Sequence, residues 1–432
     1  MGPPTSNRVY VKSRISPAYP AIAQISAGPK LRSKCIAASQ YLKSVTLLPQ
    51  LTQDSIDTAT DRRTTTSLSI ILPNYNNGAL IERALLALLS QKPPAKEIIV
   101  VDDGSTDSSV QLVEALQRLH PSIRLVRNQA NHGIIASVKT GLKHATGEFL
   151  LFAAADDFVL PGLFDRALAA LRTYPDAAFF SAGVALLDTH DRVIGLRPVT
   201  VPRRGLGYVS PADVRRVIRR SDFWVLGTAT VYRRQPLARI GYFDAHLGSL
   251  GDVLANRLLA FNHGFYFDPE ILAAYNKDPM SFSARNALSV KESRQLLDSA
   301  AAWIAKNLPE DVRGEHGPLF DRRMRFGLAR LWVIWRSGRL DADSMSDILN
   351  FGTFDRAVLR AIAHMPFGSG YLGLGWMTLR MPPFSLPTLL QAWWRAQCFK
   401  WLERREVQRK VDSAGGGRPQ LPGHKPPIQK IH

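Results

Sequence analysis

Three polar clusters, each directly following a hydrophobic run, hold the residues of this chain best suited to chemistry. Ser69-Ile70-Ile71-Leu72-Pro73 leads into Asn74-Tyr75-Asn76, and Val100-Val101 leads into Asp102-Asp103-Gly104-Ser105-Thr106-Asp107. Phe149–Phe152 leads into Ala153-Ala154-Ala155-Asp156-Asp157. Adjacent carboxylates raise one another's pKa, so acid pairs are costly unless they bind something. A divalent cation resolves the conflict, and Mg²⁺ or Mn²⁺ is commonly held by one or two carboxylates plus substrate phosphates. Neither of the first two loops has the G-x-G-x-x-G spacing that grips a dinucleotide. The set suits a base, a ribose and a metal-chelated diphosphate.

These clusters need elements to position them, and the hydrophobic pattern supplies a series. Leu68–Leu72, Glu97–Val101, Ile123–Val126 and Phe149–Ala153 read as buried strands. Between them Ala79–Gln91, Asp107–Leu119 and Ile134–Ala145 read as helices, the first with Leu80, Ala84 and Leu88 on one face. That β-α-β-α-β-α-β order predicts an α/β fold with a doubly wound, mainly parallel sheet, in which ligands bind beyond the carboxyl ends of the strands. The same domain is expected to span 67–290, with strands within Phe223–Tyr232 and Gly264–Tyr275 and a helix over Asp252–His263.

Outside that core the chain changes character. Net charge is +19, and the ends carry much of it: nine Lys/Arg against three Asp/Glu in residues 1–66, and again in 391–432. Residues 1–66 show no sustained period and read as a disordered basic leader. Residues 291–411 read as a helical C-terminal region, with runs at Ser293–Lys306 and Arg322–Trp335 and seven of the eight tryptophans, and 412–432 as a flexible tail. Ala361–Leu379 and Met381–Trp394 lack charge but are broken by glycine or proline, so neither reads as a spanning helix. Trp393-Trp394 followed by Arg395, Lys400, Arg404, Arg405, Arg409 and Lys410 fits two arrangements equally: a helix on an anionic surface, or one packed on the domain with a solvated basic face. Two cysteines, Cys35 and Cys398, make neither a disulfide framework nor a zinc pattern, and no secretory signal opens the chain, which points to the cytoplasm.

The order and spacing of these motifs resemble the family 2 glycosyltransferases, whose nucleotide-sugar fold is the GT-A type. The matching pieces are Pro73-x-Tyr75-Asn76, Val101-Asp102-Asp103-Gly104-Ser105-Thr106-Asp107, Asn131-x-Gly133, Ala145-Thr146-Gly147-Glu148 and Asp156-Asp157, within residues 67–285. The resemblance implies that Pro73 and Tyr75, with Asp103, surround the nucleobase, and that Asp102 sits beside them and shapes the loop. Asp156 matches the last acid of the family's D-x-D motif, the contact to metal and ribose-diphosphate, and Asp157 shares the metal or touches the sugar. The first acid of that motif is Ala154 here, which bears on the affinity for Mn²⁺ or Mg²⁺ and on metal dependence. Lys139, where many relatives have Asn, is a candidate diphosphate contact or a solvated helix position. Lys277, within Tyr275–Ser283, resembles the cation of the family's closing loop.

The resemblance also places a catalytic base at the start of the helix after Gly241–Gly251, which is Asp252. A helix N-terminus favours an ionised acid there. Asp244 and His263 read as structural, and Thr228-Ala229-Thr230 as a strand lining the acceptor side. The implied reaction is inverting transfer of a sugar from a nucleotide-diphosphate donor, UDP-linked on family frequency, to a hydroxyl acceptor in cell-surface glycan or polysaccharide synthesis. Implied partners are that donor, a glycan or lipid-linked acceptor, and an anionic membrane touched peripherally at its inner face. Other readings are a nucleotidyltransferase, which needs a Gly/Lys-rich loop that Asn74–Gly78 lacks, a non-catalytic scaffold prompted by Ala154, and a basic nucleic-acid-binding protein. The last is disfavoured because residues 67–290 lack interleaved aromatic and basic residues.

Overall fold

The computed structural model describes residues 67–203, 205–220, 225–277, 289–335, 339–365 and 368–415. The expected leader and most of the expected tail lie outside these residues. The described chain falls into two compact units, one holding residues up to Met324 together with the stretch from Pro383 to residue 415, the other holding Arg325–Pro382.

The first unit is built on β1 (Leu68–Asn74), α1 (Ile81–Leu89), β2 (Glu97–Asp102), α2 (Ser109–Leu119), β3 (Ile123–Arg127), α3 (Ile134–His144), β4 (Phe149–Phe152) and β5 (Phe158–Val159). It continues through α4 (Leu163–Thr173), β6 (Phe179–Leu187), β7 (Val193–Arg197), β8 (Gly207–Val209), α5 (Pro211–Arg220) and β9 (Thr230–Arg233). Then follow α6 (Arg234–Arg239), α7 (Gly251–His263), β10 (Phe265–Asn276), α8 (Val290–Asn307) and α9 (Glu310–Trp335), whose last turns belong to the second unit.

The ten strands form one mixed sheet in the order β3-β2-β1-β4-β9-β6-β10-β5, with β7 on β6 and β8 on β10. Six strands, β3, β2, β1, β4, β6 and β10, run in one direction, and β9 lies antiparallel between β4 and β6. The α/β class and the flanking helices are as expected. The sheet, however, carries more antiparallel strands than a doubly wound repeat predicts. A four-residue β9 gives no period long enough to announce its direction.

Alternation along β1 explains the layering. Leu68, Ile70 and Leu72 join Ile98, Val100, Phe149 and Leu151 on one face, under α1 and α4. Ile71 joins Ile99, Val101, Leu150 and Phe179 on the other, under α3, α5, α7 and α8. Helix α1 covers its face because Ile81, Ala84, Leu85 and Leu88 recur at helical spacing. Helix α3 approaches β1 closely: a Cβ at Gly141 would stand 2.5 Å from Ile71 Cγ2.

The second unit holds the end of α9, then α10 (Ala342–Leu349), α11 (Thr353–Ala363) and α12 (Ser369–Arg380). Arg356 pairs with Asp347 at 2.7 Å and Arg360 with Asp343 at 2.8 Å, tying α11 to α10. Asp355 accepts from Arg380 Nε at 2.7 Å and Trp376 Nε1 at 3.1 Å, tying α11 to α12.

The chain then returns to the first unit as α13 (Leu386–Cys398), a π-turn (Phe399–Glu403) and α14 (Arg404–Gly415). Phe399, Val407 and Val411 enter the core on the α1 face. Gln408 accepts from Val193 N–H at 2.8 Å and donates to the Asp191 carbonyl at 3.0 Å. One face of α14 therefore packs on the domain.

Candidate active site

All six codirectional strands end at one sheet edge, so the loops after β1, β2, β3, β4 and β10 gather there. The β1 and β2 loops are laced together. Asn76, in left-handed backbone at φ 54°, donates its N–H to Ser105 Oγ at 2.9 Å and accepts from Thr106 N–H at 2.8 Å. Asn74 Nδ2 donates to Asp102 Oδ2 at 2.8 Å, and Asp102 Oδ1 accepts from Ser105 N–H at 3.0 Å. Asp107 accepts from Gly78 N–H at 2.8 Å and from Ser109 N–H at 3.0 Å. Partial burial opposes its ionisation, but these hydrogen bonds win and hold its carboxyl below the ordinary aspartate range.

Asp103 holds the next loop. It is 3% exposed, and its carboxylate accepts from Asn128 Nδ2 at 2.7 Å, His132 N–H at 3.1 Å and Gly133 N–H at 2.7 Å. Gly104 beside it has φ 77°, and a Cβ there would stand 3.0 Å from the Ala130 backbone. A side chain at 104 would thus be strained twice over. Asp102 and Asp103 are both committed to shaping the cradle, while Tyr75 stands 46% exposed at its rim, next to Pro73 near the end of β1.

Asp156 and Asp157 follow β4 and differ sharply. Asp156 is half-buried, and its carbonyl accepts from Asn276 Nδ2. Asp157 is 3% exposed and accepts from Thr228 Oγ1 at 2.6 Å and from Asn276 N–H at 2.9 Å. Burial and the neighbouring Asp156 push the Asp157 carboxyl up to about 8, against those hydrogen bonds and the charge of Arg83. Arg83 lies buried in α1, its guanidinium 4.5 Å from the Phe158 ring centroid and 3.1 Å from Asp191.

Asp252 is the second residue of α7, not its cap. The preceding Phe243 packs edge-on against Phe152 at the end of β4, with centroids 4.9 Å apart, and a Cβ at Gly251 would stand 3.7 Å from Phe243 Cβ, which links the start of α7 to the end of β4. Burial pushes the Asp252 carboxyl above the ordinary range, against the Val253 N–H at 2.8 Å and the charge of Arg257. Burial thus acts against the helix terminus, which favours the ionised acid. Asp244 accepts from His246 N–H at 2.9 Å and caps the short 3₁₀ turn before α7.

The structure thus brings Pro73, Tyr75, Asp102, Asp103, Asp156 and Asp157 to one edge, with Asp252 beside it. Lys277, exposed, follows β10 at the same edge, its N–H on the Leu187 carbonyl at 3.0 Å. Lys139 is not brought there. It is exposed six residues into α3, about 9 Å down the helix from Gly133. Thr228 lies in a 3₁₀ turn ahead of β9, not on the strand. Sequence reasoning missed Asn128, Asn276 and Arg83. Arg83 alone left a signal, a charge on the otherwise apolar face of α1.

Among the described residues no group of three or more His, Cys, Asp or Glu is placed to hold a metal ion. The Asp156–Asp157 pair offers two adjacent carboxyl groups at this edge, a donor set that fits a cation taking its remaining oxygens from a substrate.

Residues 69–241 match the family model described as glycosyl transferase family 2. Over 177 residues the chain is 37% identical to the uncharacterized glycosyltransferase YibD of Escherichia coli (strain K12), covering 40% of this chain and 51% of that protein. Over 187 residues it is 27% identical to the succinoglycan biosynthesis protein ExoU of Rhizobium meliloti (strain 1021), covering 42% and 51%. The chain spans about half the length of these curated relatives. Among solved structures it is similar to S. aureus TarS 1–349 in complex with UDP-GlcNAc, at 19% identity and a TM-score of 0.49, covering 72% of this chain and 91% of that one.

Proposed function

We propose that this chain, whose residues 69–241 belong to glycosyltransferase family 2, moves a sugar from a nucleotide-diphosphate donor to a hydroxyl acceptor with inversion at the anomeric carbon. The observation that carries the proposal is the gathering, at one sheet edge, of the laced β1–β2 cradle, the Asp156–Asp157 pair and the start of α7. In this reading Pro73 and Tyr75 border the base, and a base N–H takes the place of Asn128 on the Asp103 carboxylate. A UDP-sugar is the donor. Asp156, with Asp157, would hold a divalent cation, Mn²⁺ or Mg²⁺, which when bound offsets negative charge on the diphosphate. In this reading Lys277 approaches the same phosphates, its exposure after β10 supporting that role, and Lys139, exposed on α3, is read as a solvated position.

Asp252 takes the proton from the acceptor hydroxyl as its oxygen bonds to the anomeric carbon. The bond from that carbon to the diphosphate breaks in the same step, and the electron pair leaves with the nucleotide. An acid raised above the ordinary range by burial is a better base than a fully solvated aspartate. The acceptor is a glycan or lipid-linked hydroxyl in surface polysaccharide synthesis, and the enzyme works in the cytoplasm at the inner membrane face.

Slow donor hydrolysis tests this without knowing the acceptor. Incubation with UDP-, GDP- and dTDP-sugars is expected to release one nucleoside diphosphate. Asp252→Asn should abolish that release while leaving nucleotide binding intact. Release that is unchanged in Asp252→Asn would remove Asp252 from the reaction.

A further inference from the structure

The segment from Leu386 to residue 415 is one long helix interrupted by the π-turn, and its two faces differ. The packed face carries Thr388, Phe399, Val407 and Val411, all buried. The outer face begins with Leu386 at 67% exposure, Leu390 at 56%, Trp393 at 48% and Trp401 at 39%. Their spacings of four, three and eight residues keep them on one stripe. Beyond Trp401 the same stripe turns cationic at Arg405 and Arg409, both exposed, with exposed Lys400 and Arg404 alongside. Large side chains left uncovered in a row carry a free-energy cost in water, so a partner that covers them is expected.

We propose that this outer face docks on an anionic lipid bilayer, with α13 lying in the plane of the interface. A bilayer edge offers hydrocarbon within a few ångströms of anionic headgroups, which matches leucine and tryptophan running into arginine along one stripe. A nucleic acid would match the cations but not Leu386 and Leu390. Among the described residues no helix is long and apolar enough to cross a membrane, so the contact is peripheral. The packed face fixes this helix to the unit that holds the candidate active site, so docking holds that unit at the membrane surface. The inference deepens the transferase reading by naming its surface partner, and its test does not depend on turnover.

Full-length protein is floated with vesicles of phosphatidylcholine alone or with about 30% phosphatidylglycerol. Flotation is expected only with the anionic lipid, weakening as salt rises. Leu390→Glu with Trp393→Glu should lower the partition coefficient on the order of tenfold or more. Arg405→Glu with Arg409→Glu should remove the preference for the anionic lipid. These residues are exposed, so folding is preserved, and calorimetric nucleotide binding should match the parent in every variant. Failure of the parent to float, or unchanged flotation of Leu390→Glu/Trp393→Glu, overturns the proposal. So does a dimer in sedimentation velocity that this double variant dissolves while vesicles stay unbound. Flotation without nucleotide binding would instead count against the transferase reading and leave the docking face standing.

Discussion

Replacing Asp157 by asparagine should stabilise the protein at alkaline pH and damage its site. The side chain is 3% exposed, and burial with Asp156 lifts its carboxyl from 3.8 to about 8. The unfolded chain releases this proton near 3.8 and the folded one near 8. Between those values the folded state binds more protons, so stability falls as pH rises through the window and is fully present below it. The full lift corresponds to roughly 6 kcal/mol. Sharing the effect with Asp156 reduces what one substitution recovers, to about 2–4 kcal/mol at pH 8 to 9. Asparagine keeps the local bonds: its carbonyl can accept from Asn276 N–H, and its amide can donate to the Thr228 hydroxyl. The assay is urea unfolding of metal-free parent and Asp157→Asn from pH 4 to 9. The difference should be near zero at pH 4 and grow with pH in favour of the variant. A variant less stable than the parent at pH 9 would refute the reasoning, since Asp157 would then be a stabilising anion. The same variant should need more Mn²⁺ for nucleotide binding, as expected of an acid kept at a stability cost.

Other perturbations give equally definite expectations. Asp252→Asn should lower turnover about 10²–10⁴-fold at unchanged nucleotide affinity, and the parent's acid limb in the pH–rate profile should lie above the ordinary aspartate range. Asp103→Ala strands the Asn128, His132 and Gly133 donors. It should cost about 2–4 kcal/mol in urea unfolding and weaken nucleotide binding, with Asp102 untouched. Val411→Ala, 2% exposed where α14 meets the core, should cost about 2 kcal/mol in the same assay, which a free-standing C-terminal helix would not show.

The first seven elements were legible because apolar runs and helically spaced apolar residues alternate regularly along them, and the structure moves their ends by one or two residues. The later half was less so. β9 has four residues and β8 three, and the β6–β7 hairpin turns on Asp191 in left-handed backbone with no glycine to mark it. The acids of the site were visible as sequence, since a charge after a hydrophobic run has few structural uses. What each acid does was not. Asp103 and Asp157 are held by partners 25 to 119 residues away, Asn128 and Asn276 among them, and no local pattern reports such pairings. The surroundings of Asp252 were illegible for a related reason: the helix terminus is written in the sequence, whereas the packing around it arises only when Phe243 meets Phe152 at the sheet.

The most direct test of the central claim is calorimetric titration of UDP, GDP, CDP and dTDP into the full-length protein, with and without Mn²⁺. The account predicts that UDP binds selectively, more tightly with the metal, and that Asp156→Ala removes the metal's effect. Absence of binding by all four nucleotides would contradict the claim that this sheet edge is a nucleotide-sugar site.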